Sequence, residues 1–272
     1  MTSSDGGAPI ARLSFNQITG EQLALAEVVE ECARAGIGWV GPWRHKLEPG
    51  SADLIRDAGL RVSSLCRGGF FPAATDAERR ERDADNRRAV EEAAELGTDV
   101  LVLVCGGAPG PELESARAMV AEGIERLVPY AREAGVRLAI EPLHPMMVVE
   151  RSVVVTLGQA NAIAERFDHG DVGVVVDAYH VWWDPELERE IARAGERILG
   201  FHVSDWLVPT TDLLAGRGMM GDGAIDLPGL RRLVDQAGYE GPIEVEVINP
   251  ALAEIPGDEL IRRVRESYLR HA

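Results

Sequence analysis

The chain has 272 residues, 46% of them hydrophobic, so it can bury a core large enough for one large α/β domain or two small ones. Its formal net charge is −17, and the sequence contains no cluster of basic residues. Because nucleic-acid-binding proteins neutralise phosphates with a basic surface, we expect no nucleic-acid partner.

The cysteines and the hydrophobic pattern predict a soluble protein of the cytoplasm. Cys32, Cys66 and Cys105 are widely spaced, which fits neither a disulfide framework nor a CxxC metal site or redox pair. The first residues lack a basic region followed by an apolar one, and no later segment approaches the ~18 apolar residues of a membrane span. We therefore expect no export signal and no membrane partner.

Short apolar and β-branched runs alternate eight times with longer amphipathic segments along the chain. The runs span residues 11–16, 38–43, 61–66, 99–105, 137–142, 172–177, 198–204 and 242–247. Two of the segments between them are the predicted helices 19–36, with Thr19 as N-cap and a closing glycine, and 226–238, with Asp226 as N-cap.

This alternation predicts an α/β fold, a single (β/α)8 TIM barrel with its active site at the C-terminal ends of the strands. No linker or low-complexity segment divides the chain, so residues 11–272 are predicted to form one catalytic domain. Residues 1–10 are predicted to be a flexible N-terminal tail. Barrels of this kind often associate, so a homo-oligomer is an open alternative.

Polar residues collect where the later strands are predicted to end. Glu141 ends the fifth run and Asp177 the sixth, while His202 lies late in the seventh. Glu244 and Glu246 lie in the eighth run. Because a buried carboxylate without a partner costs several kcal/mol of desolvation, positive charge is expected among these residues.

Two kinds of partner could neutralise these acids. Arginines are one, since Lys46 is the only lysine among 28 basic residues. The interpretation we favour is one divalent metal ion held by Glu141, Asp177, His202 and Glu246. Three carboxylates and an imidazole favour Mn²⁺, with Mg²⁺, Co²⁺ and Zn²⁺ as alternatives. Four protein ligands would leave two octahedral positions for the oxygens of a polyol or hydroxy-ketone.

Four short motifs carry a resemblance to a known family: "AIEP" (139–142), "VVDAYH" (175–180), "GFHVSD" (200–205) and "EVEV" (244–247). In this order they resemble the strand-end motifs of the xylose-isomerase-like barrel superfamily, and most closely its single-metal sugar isomerases and epimerases, which include the ketose 3-epimerases. The resemblance spans the chain from the first predicted strand to the eighth.

The resemblance implies roles for single residues. Glu141, Asp177, His202 and Glu246 match the metal ligands. Glu141 and Glu246 would also transfer protons, and His180 matches a substrate-binding histidine. Glu244 shares a strand face with Glu246, which we favour because it lies nearer the strand end.

The chain departs from the ketose epimerases at one position. They place a substrate-binding arginine six residues after the histidine ligand, where this chain has Val208. The long segment 206–226 has no clear helix or strand signal, which is typical of a lid or binding loop. Arg217 in this segment is predicted to bind substrate instead, and Asp205 either orients a ligand or shapes a turn.

Further side chains follow predicted strands and are candidates for substrate contact. Trp43, Trp182 and Trp206 predict an aromatic rim for a sugar ring or an aglycone, with core packing as the alternative. His144 and Arg67 are predicted to contact substrate as well. An ordinary loop position is the alternative for each of these two residues.

These features favour a divalent-metal-dependent isomerase or epimerase of a ketose or related polyol, with Glu141 and Glu246 moving a proton through a metal-stabilised enediolate. An alternative is a lyase or deglycosidase of the same superfamily that cleaves an oxidised 3-oxo glycoside by β-elimination. A three-zinc repair nuclease is opposed by the net charge and by the few histidines near strand ends. A barrel that only binds sugar stays open. The expected partner is a small sugar or glycoside, without phosphate because no glycine-rich turn leads directly into a late helix.

Overall fold

The computed structural model describes residues 10–110 and 112–272. The predicted tail at residues 1–10 lies outside the described residues except for its last one, which begins a short 3-10 helix, Ile10–Arg12. The strands and helices given next are those of the described residues.

Parallel strands form a nearly closed barrel. In chain order the strands are β1 (Leu13–Asn16), β2 (Trp39–Gly41), β3 (Arg61–Val62), β4 (Leu65–Gly69), β5 (Val100–Val104), β6 (Arg137–Glu141), β7 (Val172–Asp177), β8 (Ile198–Val203), β9 (Asp205–Trp206), β10 (Arg217–Gly218) and β11 (Ile243–Val245). The barrel sheet has the order β3-β2-β1-β11-β8-β7-β6-β5-β4, and β9 and β10 form a separate antiparallel pair. The predicted single TIM barrel is confirmed.

The third predicted run is divided into two strands, β3 and β4, on either side of Ser63 and Ser64. β3 pairs with β2, whereas β4 pairs with β5. A bridge between Trp43 and Cys66 joins the chain after β2 to β4 and closes the ring between these two ends. The barrel therefore has eight strand positions, and the third of them is divided between β3 and β4.

Helices surround the sheet and bury their apolar faces against it. They are α1 (Leu25–Ala35), α2 (Ser51–Asp57), α3 (Asp76–Leu96), α4 (Leu113–Glu133), α5 (Leu157–Ala164), α6 (Ala178–Val181), α7 (Leu187–Ala194), α8 (Leu227–Gln236) and α9 (Gly257–His271). Among the described residues, no helix combines the length and apolar character needed to cross a membrane. All three cysteines are free and buried.

The first helix begins later than the sequence predicts. Its first residue is Leu25, and Ala24 precedes it without a capping side chain. The prediction of Thr19 as N-cap is wrong, because its hydroxyl is used elsewhere. Thr19 Oγ1 donates to the carbonyl of Val245 at 3.0 Å and accepts the N–H of Val247 at 2.9 Å. The hydroxyl thus ties the end of β1 to β11, a long-range role that a local capping pattern does not reveal.

Two other predicted helix signals are confirmed. Gly36 ends α1 in the left-handed conformation, with φ 73°, which glycine adopts without a steric penalty. The carboxylate of Asp226 caps α8 by accepting the N–H of Gly229 at 3.0 Å. Both signals act within one turn, so the sequence reports them directly.

The interior of the barrel contains a separate apolar cluster and a group of buried polar side chains. Five small or branched side chains form a separate buried apolar cluster: Val100, Val102, Ala139, Val175 and Leu199. Across the interior, the hydroxyl oxygens of Ser14 and Ser63 lie 2.7 Å apart and form a hydrogen bond. Both serines lie beside the buried carboxylate of Glu244. Within this cluster β5 to β8 point hydrocarbon inward, whereas β1 and β11 point polar groups inward. At their C-terminal ends β6, β7 and β8 carry the polar residues Glu141, Asp177 and His202.

Gly41 makes room for Glu244. A Cβ atom placed on Gly41 would lie 2.1 Å from Glu244 Oε1. We predict that Gly41→Ala destabilises the fold by about 1–3 kcal/mol, the usual cost of overpacking a filled core. Gly38→Ala is the matched control, because a Cβ at Gly38 meets no atom within 4 Å. Urea unfolding measures both variants, and equal stability of the two would contradict the steric argument.

Candidate active site

Three of the predicted residues converge at the C-terminal ends of adjacent strands. Glu141 ends β6, Asp177 ends β7, and His202 on β8 is the register partner of Asp177. One ligand atom from each lies within 4.8 Å of the other two, and all three side chains are buried. This group could hold a metal ion.

The chemistry of the site fits a divalent cation. His202 Nδ1 and Glu141 Oε1 lie 3.2 Å apart, but their geometry is not that of a hydrogen bond. Both atoms are therefore buried without a hydrogen-bond partner, which is costly unless another group satisfies them. Carboxylate oxygen and imidazole nitrogen are donors that Zn²⁺ and Mn²⁺ accept.

The electrostatics of the three residues show an excess of negative charge. Burial raises the pKa of Asp177 to about 7, although the nearby Arg217 opposes the shift. Burial acts to lower the pKa of His202, but the surrounding carboxylates, led by Glu244 and Glu141, outweigh it and raise the pKa to about 10. The charges of the protein's own groups therefore favour the binding of an additional positive charge at this cluster.

The fourth predicted ligand, Glu246, has a different partner. Its Oε2 accepts a hydrogen bond from Arg217 Nη1 at 2.7 Å. The same nitrogen lies 3.3 Å from the Glu246 carbonyl oxygen and 3.5 Å from Asp177 Oδ2. The arginine alternative is therefore realised for Glu246, whereas Glu141 lies opposite the imidazole of His202, 3.2 Å away and outside hydrogen-bond geometry.

Glu244 is fully hydrogen-bonded. Its Oε1 accepts from Asn16 Nδ2 at 2.6 Å, and its Oε2 accepts from the hydroxyls of Ser63 at 2.6 Å and Ser64 at 3.0 Å. The same Oε2 lies 3.9 Å from Nε2 of His202. Glu244 is thus placed behind the ring of His202, where a carboxylate commonly orients a metal-binding histidine.

His180 reaches the site beside Arg217. Its Nδ1 accepts the backbone N–H of His144 at 3.2 Å. Burial and the Arg217 charge hold the pKa of His180 well below its usual range, so the ring is neutral and carries its proton on Nε2. Nε2 lies 3.2 Å from Arg217 Nη2, which places two donors face to face. An oxygen acceptor between them would satisfy both.

A small cavity lies over the site. Six of the predicted residues line it: Trp43, Arg67, Glu141, His180, Arg217 and Glu246. Its open volume is about 20 Å³, room for about one water molecule. Because the Arg217 side chain fills much of this region, a sugar-sized molecule enters only if Arg217 or its segment moves.

The remaining aromatic candidates pack behind Arg217. Trp206 stacks on Tyr179 with ring centroids 4.9 Å apart, and it contacts Trp182 at 5.7 Å and His144 at 5.0 Å. The guanidinium of Arg217 lies 4.6 Å from the centroid of the Tyr179 ring. Trp182, Trp206 and His144 do not line the central cavity, so in this arrangement they support Arg217 from behind.

The segment 206–226 crosses the mouth of the barrel. Asp205, which directly precedes the segment, ties its beginning to its C-terminal end, because its carboxylate accepts the N–H groups of Gly221 at 2.9 Å and Ile225 at 3.0 Å. Of the two alternatives for Asp205, the loop role is the one observed. Between these anchors, Leu213 and Leu214 pack against a buried apolar cluster across the mouth: Val104, Leu143 and Met147.

Some residues of the site are absent from the sequence-based predictions. Asn16 bridges Glu244 and Glu246, with Nδ2 at 2.6 Å and 3.3 Å, and its position at a strand end was an available signal. Arg151 lines the cavity from the loop that follows the helix Pro145–Met147. No local pattern marks Arg151, since its loop is ordered by contacts distant in sequence.

The fold and this cluster define a barrel of a known class. A family model described as the xylose isomerase-like TIM barrel matches residues 29–270. The chain belongs to this family, which confirms the resemblance carried by its strand-end motifs.

Curated relatives include more than one kind of enzyme. The chain is 31% identical over 249 residues to a 3-dehydroshikimate dehydratase of Pseudomonas aeruginosa, an alignment that covers 85% of this chain and 37% of the relative. It is 23% identical to the L-ribulose 3-epimerase of a Methylomonas species, covering 84% of this chain and 81% of the relative. The chain thus spans little more than a third of the dehydratase.

Solved structures share the whole architecture. A crystal structure of a protein from Sinorhizobium meliloti 1021 superposes with a TM-score of 0.92 at 49% identity, covering 96% of this chain and 98% of the other. The IOLI protein, solved with a bound zinc atom, superposes with a TM-score of 0.82 at 20% identity, covering 94% of this chain and 96% of that one. At that identity, the second similarity shows the fold alone.

Arg217 offsets the buried charge of Asp177 and Glu246. Because removal of one partner leaves buried charge uncompensated, we predict that Arg217→Gln costs about 3–5 kcal/mol of stability in chelator-treated protein. Arg166→Gln is the control, because Arg166 is exposed. Urea unfolding at neutral pH gives both values. A loss no larger than that of the control would show that the pair contributes little.

Proposed function

We propose that the protein is a divalent-metal-dependent isomerase or epimerase acting on a ketose or related polyol. The observation that carries the proposal is the convergence of Glu141, Asp177 and His202, with two buried ligand atoms that lack partners. Glu246 is the proposed fourth ligand. A divalent ion held there would polarise the carbonyl group of a hydroxy-ketone and stabilise the charge that develops on its oxygen.

The protein's own groups supply the proton transfer. Glu141 and Glu246 line one cavity from β6 and from the end of β11, and β7 and β8 lie between these two strands in the barrel. In the proposed reaction, one carboxylate removes the proton beside the carbonyl group and the other returns it to the opposite face. Arg217 holds the Glu246 carboxylate in place through a hydrogen bond of 2.7 Å.

Substrate positioning falls to His180 and Arg217. Their facing N–H groups, 3.2 Å apart between Nε2 and Nη2, would both donate to one substrate oxygen. Trp43 offers an apolar wall to the sugar carbon chain, since it lines the same cavity. Movement of the segment 206–226 would admit the substrate and then exclude water from the reacting carbon.

Metal content provides the first test. We predict about one divalent ion per chain, since the ligands define one site, with Mn²⁺ favoured and Zn²⁺ an alternative supported by the zinc in the IOLI structure. His202→Ala should lose the ion, whereas His144→Ala, which removes an imidazole outside the ligand set, should keep it. Elemental analysis of purified protein decides, and two or three tightly bound ions would contradict the single-site assignment.

A second function shares the same first step. The relative with 31% identity is a dehydratase, which favours elimination as the alternative outcome. After proton removal beside a carbonyl group, departure of a β-hydroxyl gives water and an enone, and departure of an aglycone from a 3-oxo glycoside is the same β-elimination. Isomerisation keeps the substrate mass, whereas elimination loses water or the aglycone.

Turnover in deuterated water tests the proton transfer. The panel contains neutral ketoses such as L-ribulose and ketoses that carry an acid group. We predict that at least one gives a product whose formula is unchanged except for deuterium at the carbon beside the carbonyl group. Glu141→Gln and Glu246→Gln should each lower kcat by about 100-fold or more while the bound ion is retained. Glu240→Gln, an exposed acid at the opposite end of β11, is the control.

Mass spectrometry of the products separates the outcomes. Loss of water or of an aglycone would establish the elimination. Full activity of either glutamine variant with metal bound would remove that residue from the mechanism.

A further inference from the structure

Two arginines in the wall of the active-site cavity have no acidic partner. Arg67 and Arg151 both line this cavity. Within residues 10–110 and 112–272, neither guanidinium forms an ion pair or donates a hydrogen bond to the protein, and Nε of Arg151 is buried without a partner. The chain carries 45 acidic residues, so two arginines without an ion-pair partner in the wall of one cavity require an explanation.

The backbone holds both arginines in place. Arg67 lies at a register shift of β4 against β5, between Cys66 and Gly68, and such irregularities redirect a side chain. Its guanidinium stacks on Phe70, 3.7 Å from the ring centroid. These contacts restrict the side chain before any ligand binds, which lowers the entropy cost of binding.

The loop of Arg151 is fixed as well. Its N–H donates to the carbonyl of Met147, and its own carbonyl accepts the N–H of Gly106, both at 2.9 Å. The Arg151 guanidinium therefore extends into the cavity from an anchored backbone.

The two charges repel each other. Burial lowers the pKa of Arg67, and the positive charges of Arg151 and Arg44 lower it further. Like charges held together in a half-buried wall are unfavourable in the protein alone. An anion between them would remove the repulsion and receive charge-assisted hydrogen bonds from both sides.

We propose that Arg67 and Arg151 bind a carboxylate group of the substrate, so that the enzyme acts on a ketose or related polyol that carries an acid group rather than on a neutral one. The inference rests on the proposed function, since it uses the same cavity. A carboxylate is favoured over a phosphate by the architecture. Barrel phosphate sites use backbone N–H groups at a helix N-terminus after the last strands. Here Arg67 lies in β4 and Arg151 follows β6, and the chain after β8 forms the β9–β10 pair.

Binding measurements with matched ligands test the carboxylate site without requiring turnover. The pairs are D-gluconate with D-glucitol, and quinate with its methyl ester, each of which differs only in the acid group. Isothermal titration at constant ionic strength on metal-loaded protein should show tighter binding of the acid in at least one pair. Arg67→Gln and Arg151→Gln should each weaken binding of that acid by about 10- to 100-fold, with little change for the neutral partner and unchanged metal content. Arg232→Gln, an exposed arginine, is the control.

Each other outcome has a defined meaning. Equal affinity for acids and neutral partners, no binding of any acid, or equal losses for both members of a pair would overturn the carboxylate site. Tighter binding of D-glucitol 6-phosphate than of D-gluconate, lost in the same variants, would replace the carboxylate with a phosphate. Neutral sugars turned over with deuterium incorporation would leave the proposed function standing and refute this inference alone.

Discussion

The burial of four carboxylates inside one barrel is the constraint on which the rest of the site depends. Glu141, Asp177, Glu244 and Glu246 are all nearly inaccessible to solvent. The partners of these carboxylates differ. Glu244 accepts hydrogen bonds from hydroxyl and amide groups, and Glu246 is paired with Arg217. Asp177 accepts the N–H of Tyr179 at 2.8 Å. Glu141 is left facing His202 with an unsatisfied oxygen. Because buried charge without compensation is costly, this imbalance supports the choice of this cluster as the candidate active site.

The polar side of the barrel requires small neighbours as well as hydrogen-bond donors. Gly41 leaves the space that the Glu244 carboxylate occupies, and the hydroxyls of Ser63 and Ser64 lie where the third strand is divided between β3 and β4. A continuous strand with branched side chains would fill this space with hydrocarbon. The divided third strand thus contacts the buried acid Glu244, and Glu244 in turn lies beside the ring of His202.

The sequence predicts features that repeat or act locally, and misses those that depend on distant partners. Alternating apolar runs predict the barrel because strands and helices differ in the period of their apolar residues. Acids at strand ends predict the cluster because parallel strands of a barrel end at the same rim. The pairing of Arg217 with Glu246 joins residues 29 positions apart, and Asn16 reaches Glu246 across 230 positions. Thr19 reads as a helix cap because the pattern there is local, whereas its bonding partners lie on β11.

One carboxylate, that of Asp205, ties together the two ends of the segment 206–226. The segment can therefore be replaced as a unit. Asp205 holds the chain on either side of it, so additions or deletions between residues 207 and 216 need not disturb the barrel behind them. Changes in this stretch would alter the entrance and leave the buried acids of the candidate active site in place. Such a scaffold can therefore diversify by exchange of this surface loop, while the buried acids stay unchanged.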